Sequence, residues 1–297
     1  MRLDRRRFLQ LGAASGGTLV GAPALLTLLA ACGSDGGTGS ADSADPFVLV
    51  KRWDDTANTA GSVRLPLALA SPKDMALLTT GGASPATLTG TVVDANGAQV
   101  ATFSTPRHDS AISNPYWPVR VDVPAVGIYT MLVDGGDEHG VAFQVFAAAD
   151  VQTPVTGAAL PPFDTPTIDD PRGVNPVCTL TPNPCPFHAM TLTDALASGK
   201  HVVYMVGTPA HCQFGTCAPG LEFLVAAAPK FADRAVFVHA DVYTDDTATQ
   251  TAPAVSALHL GYEPVIYITD TAGTVTDRID VIWDAPELDE VLTRNLS

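Results

Sequence analysis

Four cysteines in the second half of this 297-residue chain fall into two close pairs, Cys178 with Cys185 and Cys212 with Cys217. Neighbouring thiols can form or exchange disulfides, attack an electrophile as thiolates, or hold a soft metal. On a regular α-helix, Cα atoms five residues apart stand about 8.6 Å apart, more than the roughly 7 Å a disulfide tolerates. Cys212 and Cys217 can therefore pair only if Cys212 precedes the helix. Pro219 suits a first helical turn and Gly215 supplies a flexible point, which starts the helix near Thr216 to Pro219. In that arrangement Cys212 is the attacking thiolate, aided by the helix dipole and by His211 if protonated, and Cys217 is the resolving thiol. The alternative is a static staple. Cys178 and Cys185 lie in a loop stiffened by Pro182, Pro184 and Pro186. A local disulfide there would restrain the unfolded chain, or the loop could exchange disulfides with the Cys212 site. Four cysteines allow three connectivities, and the spacing selects none.

The elements that must position these thiols follow from periodicity. His201–Val206 and Ala235–Asp241 read as apolar strands, with helices over Thr191–Ser198, Pro219–Phe231 and Ala252–Leu260. Val265–Thr269 and Thr274–Ile282 read as strands around a turn, and Pro286–Leu296 as a helix opened by Asp284 and Glu287 as a capping box. Earlier in the chain the period is different. Val63–Leu69, Thr87–Val93, Ala98–Phe103, Val119–Val123, Ile128–Val133 and Val141–Phe146 read as short strands, with Asn96-Gly97 and Gly135-Gly136 as turns. Trp53, Arg107-His108 and Tyr116-Trp117 read as buried aromatics and strand-edge polar groups, and no chemistry is assigned to this region. The expected organisation is a leader over residues 1–31, a flexible tether over 32–46, a β-sandwich over 47–147, a Pro-rich connector over 148–186 and an α/β domain over 187–297.

Sixteen basic against thirty-one acidic residues give a net charge of −15, which argues against nucleic-acid binding by phosphate neutralisation. With 25 Gly and 24 Pro the chain reads as globular and turn-rich rather than disordered. Arg2, Arg5, Arg6 and Arg7 precede an uncharged stretch from Phe8 to Ala31, as in an export signal. Arg5-Arg6-Arg7-Phe8-Leu9 resembles the twin-arginine motif, and Leu29-Ala30-Ala31-Cys32 resembles a lipobox, whose cysteine is acylated. These resemblances imply export and a lipid anchor on Cys32 at the outer face of the cytoplasmic membrane. The alternative is an uncleaved membrane helix, weakened by Gly12, Gly16, Gly17, Gly21 and Pro23.

The order strand, helix, strand, helix, hairpin, helix, with Cys212 at a strand exit and Glu263-Pro264 just before a strand, resembles the thioredoxin fold over about Met190 to Ser297. The expected fold is thus a multidomain chain, an immunoglobulin-like all-β sandwich followed by an α/β thioredoxin-like domain. The resemblance implies a thiol-disulfide oxidoreductase acting on thiols or disulfides of exported proteins, with Pro264 cis and presenting backbone to an extended substrate. Two features depart from the family: four residues rather than two separate the cysteines, and Val206 stands where the family often has a buried acid. Asp241, His239 and His211 are the candidates for that role. Thr208-Pro209-Ala-His-Cys212 also resembles peroxiredoxins, with one extra residue before the cysteine. A Sco-like copper chaperone is a further alternative, with His259 as a conceivable third ligand. A non-catalytic scaffold lipoprotein with structural disulfides is the non-enzymatic reading. No ligand cluster visible in the sequence demands a metal or another cofactor.

Overall fold

A computed structural model describes residues 47–297. Cys32, the leader and the tether lie outside the described residues. The described chain is mostly β-sheet, with three sheets and few helices. Strands β1 (Val48–Lys51), β2 (Gly61–Ala70) and β5 (Tyr116–Val123) make a three-stranded antiparallel sheet in the order β1-β2-β5. Strands β3 (Thr87–Asp94), β4 (Gln99–Pro106), β6 (Gly127–Val133) and β7 (Val141–Val145) make a four-stranded antiparallel sheet in the order β4-β3-β6-β7. Alternation explains their packing, since β7 buries every second residue. Leu65, Leu67, Trp117 and Val119 of one sheet and Leu88, Val92, Met131 and Val145 of the other form one apolar core. Gly97, at φ +79°, makes the β3–β4 turn.

The remaining strands are β8 (His201–Val206), β9 (Ala235–Ala240), β10 (Val265–Thr269) and β11 (Val275–Asp280), in the order β11-β10-β8-β9. β8 and β9 are parallel, whereas β10 runs antiparallel to both β8 and β11. β8 is central and covered on both faces, so it carries no alternation: Val203 and Met205 enter one core, and Val202, Tyr204 and Val206 the other. The helices are α1 (Leu192–Ala197), α2 (Cys217–Ala227), α3 (Pro253–Ala257) and α4 (Ala285–Asn295). None of the helices described here is long and apolar enough to cross a membrane.

Several expectations are corrected. α2 ends at Ala227 and passes into a 3₁₀ turn over Ala228–Phe231, where Pro229 interrupts the hydrogen-bond ladder. α3 is only five residues long, because Leu258 leaves helical geometry and His259 turns to φ +50°. β1 had no counterpart in the periodicity, being too short to show one. The Pro-rich segment is not merely a spacer. Val155 and Leu160 are buried, and Gly157, Ala158 and Leu160 exchange backbone hydrogen bonds with Gly273 and Val275 at the free edge of β11.

The expected capping box at α4 is half formed. Asp284 accepts the Glu287 N–H, but Glu287 does not reach back; the Asp284 N–H donates to Tyr116 Oη instead. Glu287 faces the first sheet, where Arg64 grips it through Nε and Nη2, both at 2.7 Å, and Tyr116 donates to it at 2.6 Å. Arg64 also donates to the Asp280 and Ile282 carbonyls. Arg64 and Glu287 are both almost wholly buried. Removing one partner of a buried pair strands the other charge, so Arg64→Ala should cost about 3–5 kcal/mol of stability. Urea unfolding of the purified chain checks this, with Arg64→Lys expected to recover only part of the loss because it lacks the planar fork.

Candidate functional site

β8 delivers the chain to Gly207, whose N–H donates to Ala240 O and extends the parallel pairing. A turn then carries residues 208–216 outward, closed by Gly215 N–H to Cys212 O. That turn needs Gly215 at φ +65°, a conformation costly for other residues. α2 begins at Cys217, so Cys212 stands in the loop before it, where pairing with Cys217 is geometrically open. The helix seats closely because residue 220 is Gly: a Cβ there would lie 2.7 Å from the Trp283 ring, which donates to Gly220 O.

Thr216, the N-cap residue of α2, makes no side-chain capping bond. The Cys212 sulfur takes that place, accepting the Cys217 N–H at 3.4 Å. Cys217 is buried, and its thiol donates to Glu263 Oε2 at 2.7 Å; the same oxygen accepts Thr208 N–H at 3.1 Å. The two sulfurs and the Glu263 carboxylate lie within 4.8 Å of one another, a set that could also hold a soft metal ion. Cys212 itself is half-buried.

Charge divides sharply across this triad. Hydrogen bonding from the Cys217 thiol, then from the Cys217, Thr216 and Phe214 N–H groups, outweighs burial and lowers Cys212 to about 5. Burial first, then the adjacent Cys212 and Glu263, push the Cys217 thiol far above the ordinary thiol range. Burial raises Glu263 to about 7, with the Cys212 charge adding to it and the Cys217 hydrogen bond opposing. Arg52, from the segment after β1, lies close enough for Cys212 to counter the lowering that burial imposes on its guanidinium, and it stacks over exposed Phe214 at 5.2 Å.

The other anticipated residues are placed differently. The Glu263–Pro264 peptide is cis, and Pro264 opens the way into β10 beside the triad. His211 packs edge-on against Tyr243, 5.8 Å between centroids, and makes no hydrogen bond to Cys212. Asp241 holds Thr179 through N–H and Oγ1, and Thr179 Oγ1 in turn accepts Ala210 N–H. The buried Thr208 hydroxyl has no partner and does not reach Cys212, so the peroxiredoxin-like arrangement is not assembled. His259 lies outside the sulfur cluster, so the Sco-like ligand set is not assembled either. All four cysteines described here are free thiols, and Cys178 and Cys185 sit in a second, separate cluster.

Glu263, Arg52 and His188 went unrecognised in the sequence. A carboxylate directly before a proline at the entry to a buried strand was the available signal for Glu263. For Arg52 there was none, since its position depends on packing between residues 160 apart in the chain.

No family model matches this chain, and no curated protein matches it. A structure of a thioredoxin-family thiol:disulfide interchange protein from Chlorobium tepidum TLS is similar at 14% identity and a TM-score of 0.35, over 48% of this chain and 99% of that one.

The low Cys212 value makes its alkylation nearly independent of pH above about 6, with a fall of about tenfold per unit below about 5. The stability carried by that thiolate is complete above the ordinary thiol range and is lost as pH falls through about 5. Mass-spectrometric rates of iodoacetamide labelling should show this profile for Cys212, with Cys217 unlabelled in the folded protein.

Proposed function

We propose that the chain is a thiol-disulfide oxidoreductase in which Cys212 attacks, Cys217 resolves and Glu263 takes the proton. The observation that carries this reading is the position of the Cys217 thiol, 2.7 Å from the Glu263 carboxylate and within 4.8 Å of the Cys212 sulfur. Cys212 thiolate attacks a substrate disulfide, forms a mixed disulfide and releases one substrate thiolate. Cys217 then gives its proton to Glu263 and attacks the Cys212 sulfur. The second substrate thiolate leaves, and two electrons have passed from the cysteine pair to the substrate. The reverse sequence oxidises a substrate dithiol. Glu263 thereby fills the role for which Val206 is unsuited.

By the residues of the leader, the protein is exported and anchored through Cys32, and its partners are thiols or disulfides of other exported proteins. The family's established motif has two intervening residues; the longer loop here still leaves the cysteines adjacent, with the helix starting after Cys212. A purely structural pair is the rival reading. It accounts less well for a half-exposed, acidic Cys212 backed by a buried carboxylate, since reactive thiols are accessible and low in pKa whereas staples are inert.

Redox titration with mass-spectrometric mapping of the pairs should give a Cys212–Cys217 disulfide with a potential above about −250 mV; one below about −300 mV would make it a staple. The resolving step should speed up as pH rises through about 7, where Glu263 ionises. Glu263→Gln should slow that step about 100-fold at pH 8 while leaving Cys212 labelling intact. The same substitution should raise the melting temperature at pH 8 more than at pH 5, since a carboxyl whose value is raised by folding costs stability as pH rises through it.

A further inference from the structure

The second sulfur cluster is not absorbed by the exchange chemistry. Cys178 and Cys185 lie in the loop before α1, His188 follows three residues after Cys185, and His239 is the last residue but one of β9. All four are buried, with exposures of 5%, 4%, 1% and 0%. A histidine within Val-Phe-Val-His239-Ala is out of place in an apolar strand unless something binds it.

The ring orientations are those of ligands. His239 Nε2 lies 3.0 Å from the Gly207 carbonyl, which fixes the hydrogen on Nε2 and leaves the Nδ1 lone pair facing the cluster. From Nδ1 the distances are 3.8 Å to Cys178 Sγ, 3.5 Å to Cys185 Sγ and 3.2 Å to His188 Nε2. All four ligand atoms lie within 4.8 Å of one another. A tetrahedral ion with metal–sulfur bonds of 2.3 Å and metal–nitrogen bonds near 2.05 Å sets ligand edges of about 3.6 Å for S···N and about 3.4 Å for N···N. The three edges from His239 Nδ1 lie within about 0.3 Å of these values, and the remaining edges are all under 4.8 Å. His188 turns Nε2 into the cluster, 3.2 Å from His239 Nδ1.

We propose that Cys178, Cys185, His188 and His239 bind one divalent ion of the zinc class in tetrahedral geometry. The two thiols release their protons to solvent on binding, so two thiolates balance the ion's double charge and the complex is neutral, as a dry site requires. Two sulfurs and two imidazoles in a closed tetrahedron select zinc over magnesium or calcium, and four protein ligands leave no open position for a substrate. The site is therefore structural. It fastens residues 178–188 to β9, and through the Thr179 bridge to Ala210 it steadies the loop that carries Cys212. The inference is independent of the exchange reading.

The test uses the full chain, reduced with a phosphine, stripped of metal and titrated with cobalt(II). One equivalent should bind, giving the intense visible bands of a tetrahedral ion and a near-ultraviolet thiolate charge-transfer band, both abolished by one equivalent of zinc. The Cys212→Ser/Cys217→Ser variant should keep these bands, Cys178→Ser/Cys185→Ser should lose the charge-transfer band, and His188→Ala should bind about 10- to 100-fold more weakly or worse. Should the ligand variants fail to fold, the wild-type titration decides alone. Absence of tetrahedral bands in the reduced wild-type chain, their loss on replacing Cys212 and Cys217, or a metal-free Cys178–Cys185 disulfide in the chain as isolated would each overturn the proposal.

Discussion

The grip of Arg64 on Glu287 is the constraint on which the arrangement of the molecule rests. A guanidinium and a carboxylate are both removed from water, so each needs the other and every remaining hydrogen bond must be supplied. Asp280 O, Ile282 O and Tyr116 Oη supply them. The grip holds the start of α4 against β2 and β5, and α4 packs against α2, whose first turn faces Cys212. The segment after β1 is tied to the same strand, where the Arg52 N–H donates to Pro66 O of β2. The first sheet's side of the molecule thus contributes Arg52 to the electrostatic surroundings of the thiols.

Within the site, the decisive asymmetry is burial. Cys212 is half-exposed and surrounded by N–H donors, whereas Cys217 is sealed against a carboxylate and a second sulfur. One thiol is held as an anion ready to react, and the other is held neutral until a base draws its proton away. The four-residue spacing permits this because the cysteines are not on one helix: a left-handed Gly215 folds Cys212 back over the N-terminus of α2.

Much of the α/β part was legible. Apolar strands such as Val-Val-Tyr-Met-Val and the helix-starting signals at Thr216–Pro219 and Asp284 have local causes, and local causes are written in the sequence. The end of α3 at His259 was not legible, because it depends on a backbone turn rather than on composition. Nor was the docking of the Pro-rich segment, whose hydrogen bonds depend on the free edge of a strand made about 120 residues later. The same distinction separates the site residues. Cys212 and Cys217 announce themselves by type and spacing, while Glu263, Arg52 and the pairing of His188 with His239 arise only when distant segments meet. His211 illustrates the converse: next to Cys212 along the chain, it packs against Tyr243 instead.

Arg64 and Glu287 are 223 positions apart. On a ribosome that interval is a delay: at about 5–20 residues per second, more than ten seconds pass between the making of the two. The seven-stranded β region is complete by Val145, with three of its five pairings between successive strands and two, β2–β5 and β3–β6, between strands farther apart in sequence. Until α4 emerges it holds a buried-type arginine and the Tyr116 hydroxyl facing solvent. α4, made after every other described element, thus completes two things together, the neutralisation of the first sheet and the packing behind the reactive thiols.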